Sequence, residues 1–287
     1  MEARPATSAD VPAVAELQHR WDIAWFGASE HSTEEVAEYF GYTDSLAEDS
    51  RLLFDGGRLV GAGFRWGSDT LLLTDPDAEP GPLHDHLLPW FAQRPGLVEA
   101  LNRDERLRAA LETSGWHHHK SAFELTRPVT PDFELPEPSW PAGITVRDFD
   151  PADAAAVHRL IYVDAGWAEV PGHPDRTFED WHKIFVTEHT KPEQQVIAWR
   201  AERIVGVAMG RTFDDGTGWV AQLATAKAER GKGLGRAMLI EALRRRMAGG
   251  ATALGLGVQA TNRHALGMYL DAGLAIDREW MQYAYRR

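Results

Sequence analysis

The stretch Trp219-Val-Ala-Gln-Leu-Ala-Thr225, followed by Ala-Lys-Ala-Glu-Arg230-Gly231-Lys232-Gly233-Leu234-Gly235-Arg236, carries the reading of the fold. Its first seven residues read as a strand. The residues after it read as an amphipathic helix. Leu234, Met238, Leu239, Ala242, Leu243 and Met247 fall on one stripe at helical spacing, with Glu241 and Arg244 to Arg246 outside it. A strand that passes through a glycine-rich turn into a helix start makes an anion site. The first N–H groups of the helix lack partners within it, its dipole is positive there, and glycines let a phosphate come close. Arg230, Lys232 and Arg236 add positive charge to the same turn. Two other phosphate motifs do not fit. A P-loop requires Gly-x-x-x-x-Gly-Lys-Ser/Thr, which does not occur in the chain. A dinucleotide fingerprint requires Gly-x-Gly-x-x-Gly, and counting from Gly231 puts Arg236 where the third glycine belongs.

A second segment lies downstream, Thr261-Asn262-Arg263-His264-Ala265-Leu266-Gly267-Met268-Tyr269-Leu270-Asp271-Ala272-Gly273-Leu274. Asn262 suits a helix N-cap, and Tyr269 stands two turns further along the same face. Arg230, Gly233 and Gly235 after a strand resemble the Arg-x-x-Gly-x-Gly loop that grips the acetyl-CoA pyrophosphate in the GNAT acetyltransferase superfamily. The second segment resembles that family's Asn-x-x-Ala-x-x-x-Tyr-x-x-x-Gly-Phe, with Leu274 replacing the aromatic residue.

The resemblance implies an acyl-CoA-dependent N-acyltransferase with acetyl-CoA as acyl-donor cosubstrate and no metal. It implies that Arg230, Gly231, Lys232, Gly233, Leu234, Gly235 and Arg236 hold pyrophosphate, and that backbone groups of Leu223, Ala224 and Thr225 pair with pantetheine. Asn262 would approach the pantetheine arm and Tyr269 the sulfur. Attack of an amine on a thioester expels a thiolate, and a phenol with an ordinary pKa of about 10 can protonate it. A noncatalytic acyl-CoA sensor or interaction module that kept only the cradle is the alternative. Members of the family often carry a general-base Glu on the strand before the loop, yet Trp219 to Thr225 contains no carboxylate. Asp214, Asp215, Glu169 and Glu179 are the neighbouring candidates, and none is assigned. Tyr162, Trp167, Trp181 and His182 fall where the family builds its acceptor cleft, and each also suits core packing.

Working outward, Pro128, Pro131, Pro136, Pro138 and Pro141 disfavour helix and interrupt strand pairing, which marks a linker over 131–142. An internal repeat flanks it. Arg4, Ala9, Asp10, Ala13, Val14 and Leu17 match Arg147, Ala152, Asp153, Ala156, Val157 and Leu160 in register, and Arg58-Leu59-Val60-Gly61 matches Arg203-Ile204-Val205-Gly206. Asn102-Arg103 pairs with Asn262-Arg263, and Ser114-Gly115-Trp116 with Ala272-Gly273-Leu274, so the first copy is shorter by about fifteen residues. The expectation is an α/β (α+β) chain of two tandem GNAT-like domains, each a central mixed β-sheet flanked by helices. Residues 1–130 would form a degenerate copy, able to fold alone but without a CoA site, and 143–287 the catalytic domain.

In the second copy, strands are expected near 144–147, 195–200, 204–212, 218–225, 253–258 and 279–285. Helices are expected over 152–163, 177–188, 234–248 and 263–272.

The 287 residues suffice for two cores, and a net charge of −13 disfavours nucleic acid or an anionic membrane surface as partner. With no apolar run near the roughly 20 residues of a membrane span and no signal-like amino terminus, a cytoplasmic protein is expected. Cysteine is absent, so acyl transfer would proceed by direct attack rather than through a cysteine-bound intermediate. The acceptor is expected to be a small-molecule amine or peptide. Oligomeric state is not legible. His117-His118-His119 has no Cys or nearby carboxylate to complete a zinc set.

Overall fold

The computed structural model describes residues 1–66, 69–94, 96–169 and 176–286. In chain order the first strands and helices are β1 (Glu2–Arg4), α1 (Val11–Phe26), α2 (Thr33–Tyr42), α3 (Leu46–Asp49), β2 (Ser50–Asp55), β3 (Arg58–Trp66), β4 (Asp69–Thr74), α4 (Pro80–Phe91), β5 (Leu97–Leu101), α5 (Glu105–Thr113) and β6 (Trp116–Pro128). There follow β7 (Ile144–Arg147), α6 (Ala154–Arg159), α7 (Phe178–Phe185), β8 (Val196–Arg200), β9 (Arg203–Thr212), β10 (Thr217–Thr225), α8 (Leu234–Ala248), β11 (Ala253–Gln259), α9 (Arg263–Asp271) and β12 (Ala275–Tyr285). This is the mixed α/β order of two GNAT-like halves. Contacts divide it into one unit of Met1–Phe123, Gln259–Thr261 and Arg278–Arg287, and a second of Glu124–Val258 and Asn262–Asp277.

In the first unit, β1 to β4 form an antiparallel sheet in sequence order. Its core joins Val14, Leu17 and Trp21 of α1 to Leu52, Ala62, Phe64 and Leu73 of the sheet. The unit also takes in the end of the chain. Trp280–Ala284 of β12 pairs antiparallel with Leu97–Leu101 of β5, Trp280 stacks on Trp21 with centroids 6.1 Å apart, and Tyr283 is wholly buried among Leu107, Leu111 and Trp116. Residues 1–130 therefore lack part of the core that the first unit has in the full chain.

The second unit is built on β7-β8-β9-β10-β11, antiparallel through β10 and parallel between β10 and β11. A parallel pair needs a crossover, and α8 supplies it. Leu234, Met238, Leu239, Ile240 and Leu243 of α8 are buried, each contributing about 1.5–3 kcal/mol against the exposed state. Gly206 of β9 allows the close approach, since a Cβ there would lie 2.5 Å from the Met238 sulfur. The other core of the unit gathers Val157, Leu160, Ile161, Tyr162 and Trp181 over Ile197, Val207, Met209 and Ala224.

The sequence misplaced Arg246, which is fully buried rather than outside the stripe. Its guanidinium donates to the carbonyls of Trp219 (3.0 Å), Ala242 (2.9 Å) and Gln194 (3.2 Å), and burial lowers its pKa to about 10. The stretch 131–142 is also tied down: Leu135 is buried, and Arg244 donates to its carbonyl and to Glu137.

The repeat is longer than the sequence alignment made it. In the first unit Asp104, not Asn102, caps the helix after the strand, accepting from Leu107 N at 2.9 Å as Asn262 accepts from Ala265 N at 3.2 Å. Asn102 instead donates to Glu279. With Asp104 against Asn262, Gly115 and Gly273 also align, both with positive φ, and the shortfall becomes thirteen residues rather than about fifteen.

Candidate active site

The expected strand, turn and helix come together at one end of the second unit's sheet. β10 pairs with β11 only over Thr217–Val220, whereas its pairing with β9 continues to Thr225. A bulge between Val220 and Gln222 marks the change. Beyond it, Gln222 to Thr225 keep β9 on one edge, and no residue of β11 is in register on the other. Unpaired strand groups there can pair with an extended ligand. Leu223, Ala224 and Thr225, the residues expected to meet pantetheine, occupy this edge.

A 3₁₀ turn over Lys227–Glu229 follows, and Gly231 and Gly233 then take φ of +73° and +85°. Side chains rarely adopt such backbone, and a Cβ at either glycine would meet nothing within 4 Å. The space above the turn is open. Among the described residues, the N–H groups of Gly231 to Arg236 donate to no protein acceptor, and the first bond of the helix start is Ala237 N to Gly233 O. This is a cradle that fits a pyrophosphate.

The charges are arranged less simply than the sequence suggests. Glu229 is buried and accepts two bonds of 2.9 Å from Arg200, and Lys232 lies 3.3 Å from it. The Arg200 guanidinium holds this carboxyl below the usual range. Arg230 donates to the Ala165 carbonyl at 2.6 Å. Of the three expected cations, Arg236 alone has a side chain that makes no hydrogen bond or ion pair among the described residues. Arg200 and Glu229 were missed as parts of the turn, since a strand-end arginine 29 residues from its partner gives no local signal.

Gly235 marks where three elements meet: its Cβ position is 3.5 Å from Thr225 Oγ1 on β10 and 3.9 Å from Met268 Sδ on α9. Tyr269, next to Met268, is 7% exposed. Burial pushes its phenol up to about 12, so the hydroxyl is protonated at neutral pH, and among the described residues it has no hydrogen-bond partner.

The candidate acceptor residues separate. Tyr162 and Trp181 belong to the buried core, with Trp167 partly buried against it and His182 half-buried beside Phe178. Trp181 Nε1 donates to the buried Gln222 at 2.9 Å, which ties α7 to the bulged strand. None of the candidate bases stands in a buried position. Glu169 pairs with Lys227 and Glu179 with Lys183, both carboxylates being mostly exposed, and Asp215 accepts from Thr217 in its turn. Among the described residues no His, Cys, Asp and Glu group could hold a metal, and no helix is long and apolar enough to cross a membrane.

Residues 155–274, which include every part of this site, match the family model of the acetyltransferase (GNAT) family. The match takes in most of the second unit, and over its whole length the chain has the fold of tandem GNAT structures. A GCN5-related N-acetyltransferase from Sphaerobacter thermophilus superposes with a TM-score of 0.78 at 23% identity, over 99% of this chain and 94% of its own. A tandem GNAT protein from the clavulanic acid biosynthesis pathway gives 0.73 at 13%, over 99% and 97%. In sequence, the mycothiol acetyltransferase of Frankia alni is 29% identical over 190 residues, 60% of this chain. The match spans 55% of that relative, about half its length.

Proposed function

We propose that the second unit is an acyl-CoA-dependent N-acyltransferase that moves acetyl from acetyl-CoA to a primary amine of a small molecule or peptide by direct attack in a ternary complex. The observation that carries this reading is the row of N–H groups from Gly231 to Arg236, undonated and under open space, beside a strand edge that β11 has left. The first would hold pyrophosphate together with Lys232 and Arg236, and the edge at Leu223, Ala224 and Thr225 would hold pantetheine, with Asn262 at the near end of α9. Acetyl-CoA supplies the activated acyl group. Tyr269 keeps its proton at neutral pH and delivers it to the departing sulfur, which is useful only as negative charge develops there. Trp167 and His182, the least buried of the aromatic set, border the place of the acceptor.

The test is release of free CoA from acetyl-CoA with a panel of primary amines. Amine-dependent thiol release and one acetyl-CoA per chain by calorimetry are expected. Saturable binding with no release on any amine would leave a sensor and overturn the enzymatic reading.

A further inference from the structure

The helix that opens the second unit does not end as an ordinary α-helix. After Arg159 it widens into a π turn over Leu160–Asp164, closed by Ala165 N on Leu160 O at 2.7 Å. Such turns are uncommon and cluster at functional places. The carbonyls at a helix end have no partner within the helix and carry partial negative charge. Here the buried Ala165 carbonyl receives the Arg230 guanidinium at 2.6 Å, from the middle of the cofactor turn.

A second cation of the same turn holds the other end of the segment Ala165–Glu169. Lys227 Nζ lies 2.6 Å from Glu169 Oε2. Its chain crosses Gly166, where φ is +72° and a Cβ would stand 2.3 Å from Lys227 Cε. Gly166 is thus required twice, by its backbone and by the lysine over it.

The first unit shows what happens without the turn. By the repeat register Asp22 stands in the place of Ala165, inside an α1 that continues to Phe26 and is closed by Gly27 N on Ile23 O. Among the described residues, no Lys or Arg of a following turn reaches it. Asp22 is held instead by Gln18, His31 and the N–H groups of Glu30 and His31.

We propose that Arg230 is a positioning residue: it fastens Ala165–Glu169, at the acceptor side of the site, to the cofactor turn, and leaves the phosphate to the backbone, Lys232 and Arg236. This rests on the acyltransferase reading of the site. A ligand seated in the turn then steadies the acceptor wall through Arg230, so the two binding sites are energetically linked.

The experiment is hydrogen exchange and calorimetry on the full chain, with CoA itself as the probe. In R230Q, the amides of Ala165, Gly166 and Glu169 are expected to exchange at least about fivefold faster than in the parent. CoA affinity should stay within about threefold. Saturating CoA should slow these amides in the parent and not in R230Q, an effect that loss of general stability would not remove selectively. R230K, which keeps the charge with a single point donor, should fall between and decides the matter if R230Q does not fold. Unchanged exchange at these amides overturns the proposal, as does a loss of CoA affinity of about tenfold or more, which would make Arg230 a phosphate ligand. If the parent binds no CoA, the acyltransferase reading fails, while the exchange rates without ligand still decide whether Arg230 holds the segment.

Discussion

The two units turn the same corner differently. Asp75 N donates to Val60 O in the first, and Ala226 N to Val205 O in the second, so the chain leaves both sheets from the same anchor. The first then reaches α4 in five residues and the second reaches α8 in eight. Those three additional positions accompany the buried Glu229, the two left-handed glycines and the undonated N–H groups. The first unit fills the corner from within. Asp75 is buried and paired with Arg20 at 3.2 Å and Arg58 at 2.7 Å, and its other oxygen accepts from Asp77 N. Pro80 and Pro82 lack N–H groups at the helix start. What the second unit leaves open, the first closes with its own carboxylate, so two copies of one fold differ at one turn.

The largest expected effect concerns the unity of each copy. Residues 1–130 expressed alone lack Trp280 and Tyr283 and should show no cooperative thermal transition. In the full chain Tyr283→Ala should cost about 3–5 kcal/mol. A sharp melt of the isolated fragment would mean that β12 is dispensable to the first unit.

The second test asks whether α9 differs from its counterpart α5 in chemistry or only in packing. With Asp104 set against Asn262, buried Leu111 occupies the place of Tyr269. Tyr269→Phe should lower kcat by about 10²- to 10⁴-fold with CoA affinity unchanged. Because the phenol titrates at about 12, turnover should show no alkaline loss from this group up to roughly pH 11. Thiol release by the Phe variant equal to that of the parent would reduce Tyr269 to a core residue like Leu111.

Within the turn, Gly233→Asp should weaken acetyl-CoA binding by about 100-fold, since it puts a carboxylate at a left-handed position facing the phosphate. The Cβ itself meets open space, so the fold should survive. Titration calorimetry with unchanged affinity would remove the cradle from the site.

The smallest effect lies in the first unit's corner. Asp75→Ala should lower stability by about 1–3 kcal/mol, because Arg20 and Arg58 lose their partner yet both reach water. Acetyl-CoA should still bind once per chain. A second binding site in this variant would show that the carboxylate alone had been closing the corner.

Local signals explain what could be read from the sequence. Strand periodicity, the glycines of the turn, the Asn262 cap and the stripe on α8 each depend on residues within a turn or two of one another. They located the elements of the second unit to within a few residues. The expected helix over 152–163 is present but finishes as a π turn at 160–164, which has no composition of its own. Helix 177–188 ends at Phe185, whose carbonyl is taken by the Thr190 hydroxyl at 2.9 Å. The distant pairings needed the tertiary structure. Glu229 with Arg200, Arg230 with Ala165, Arg246 beneath the bulged strand and β12 against β5 join residues 27 to 183 positions apart. A burial pattern cannot distinguish an arginine that reaches water from one that finds carbonyls inside. The sequence by itself determined the two copies, their elements and the glycine turn before α8, since these follow from backbone preference and periodicity. Only the tertiary structure decided which charges of that turn are already engaged and where the last strand goes, because both depend on partners that the chain brings together after it folds.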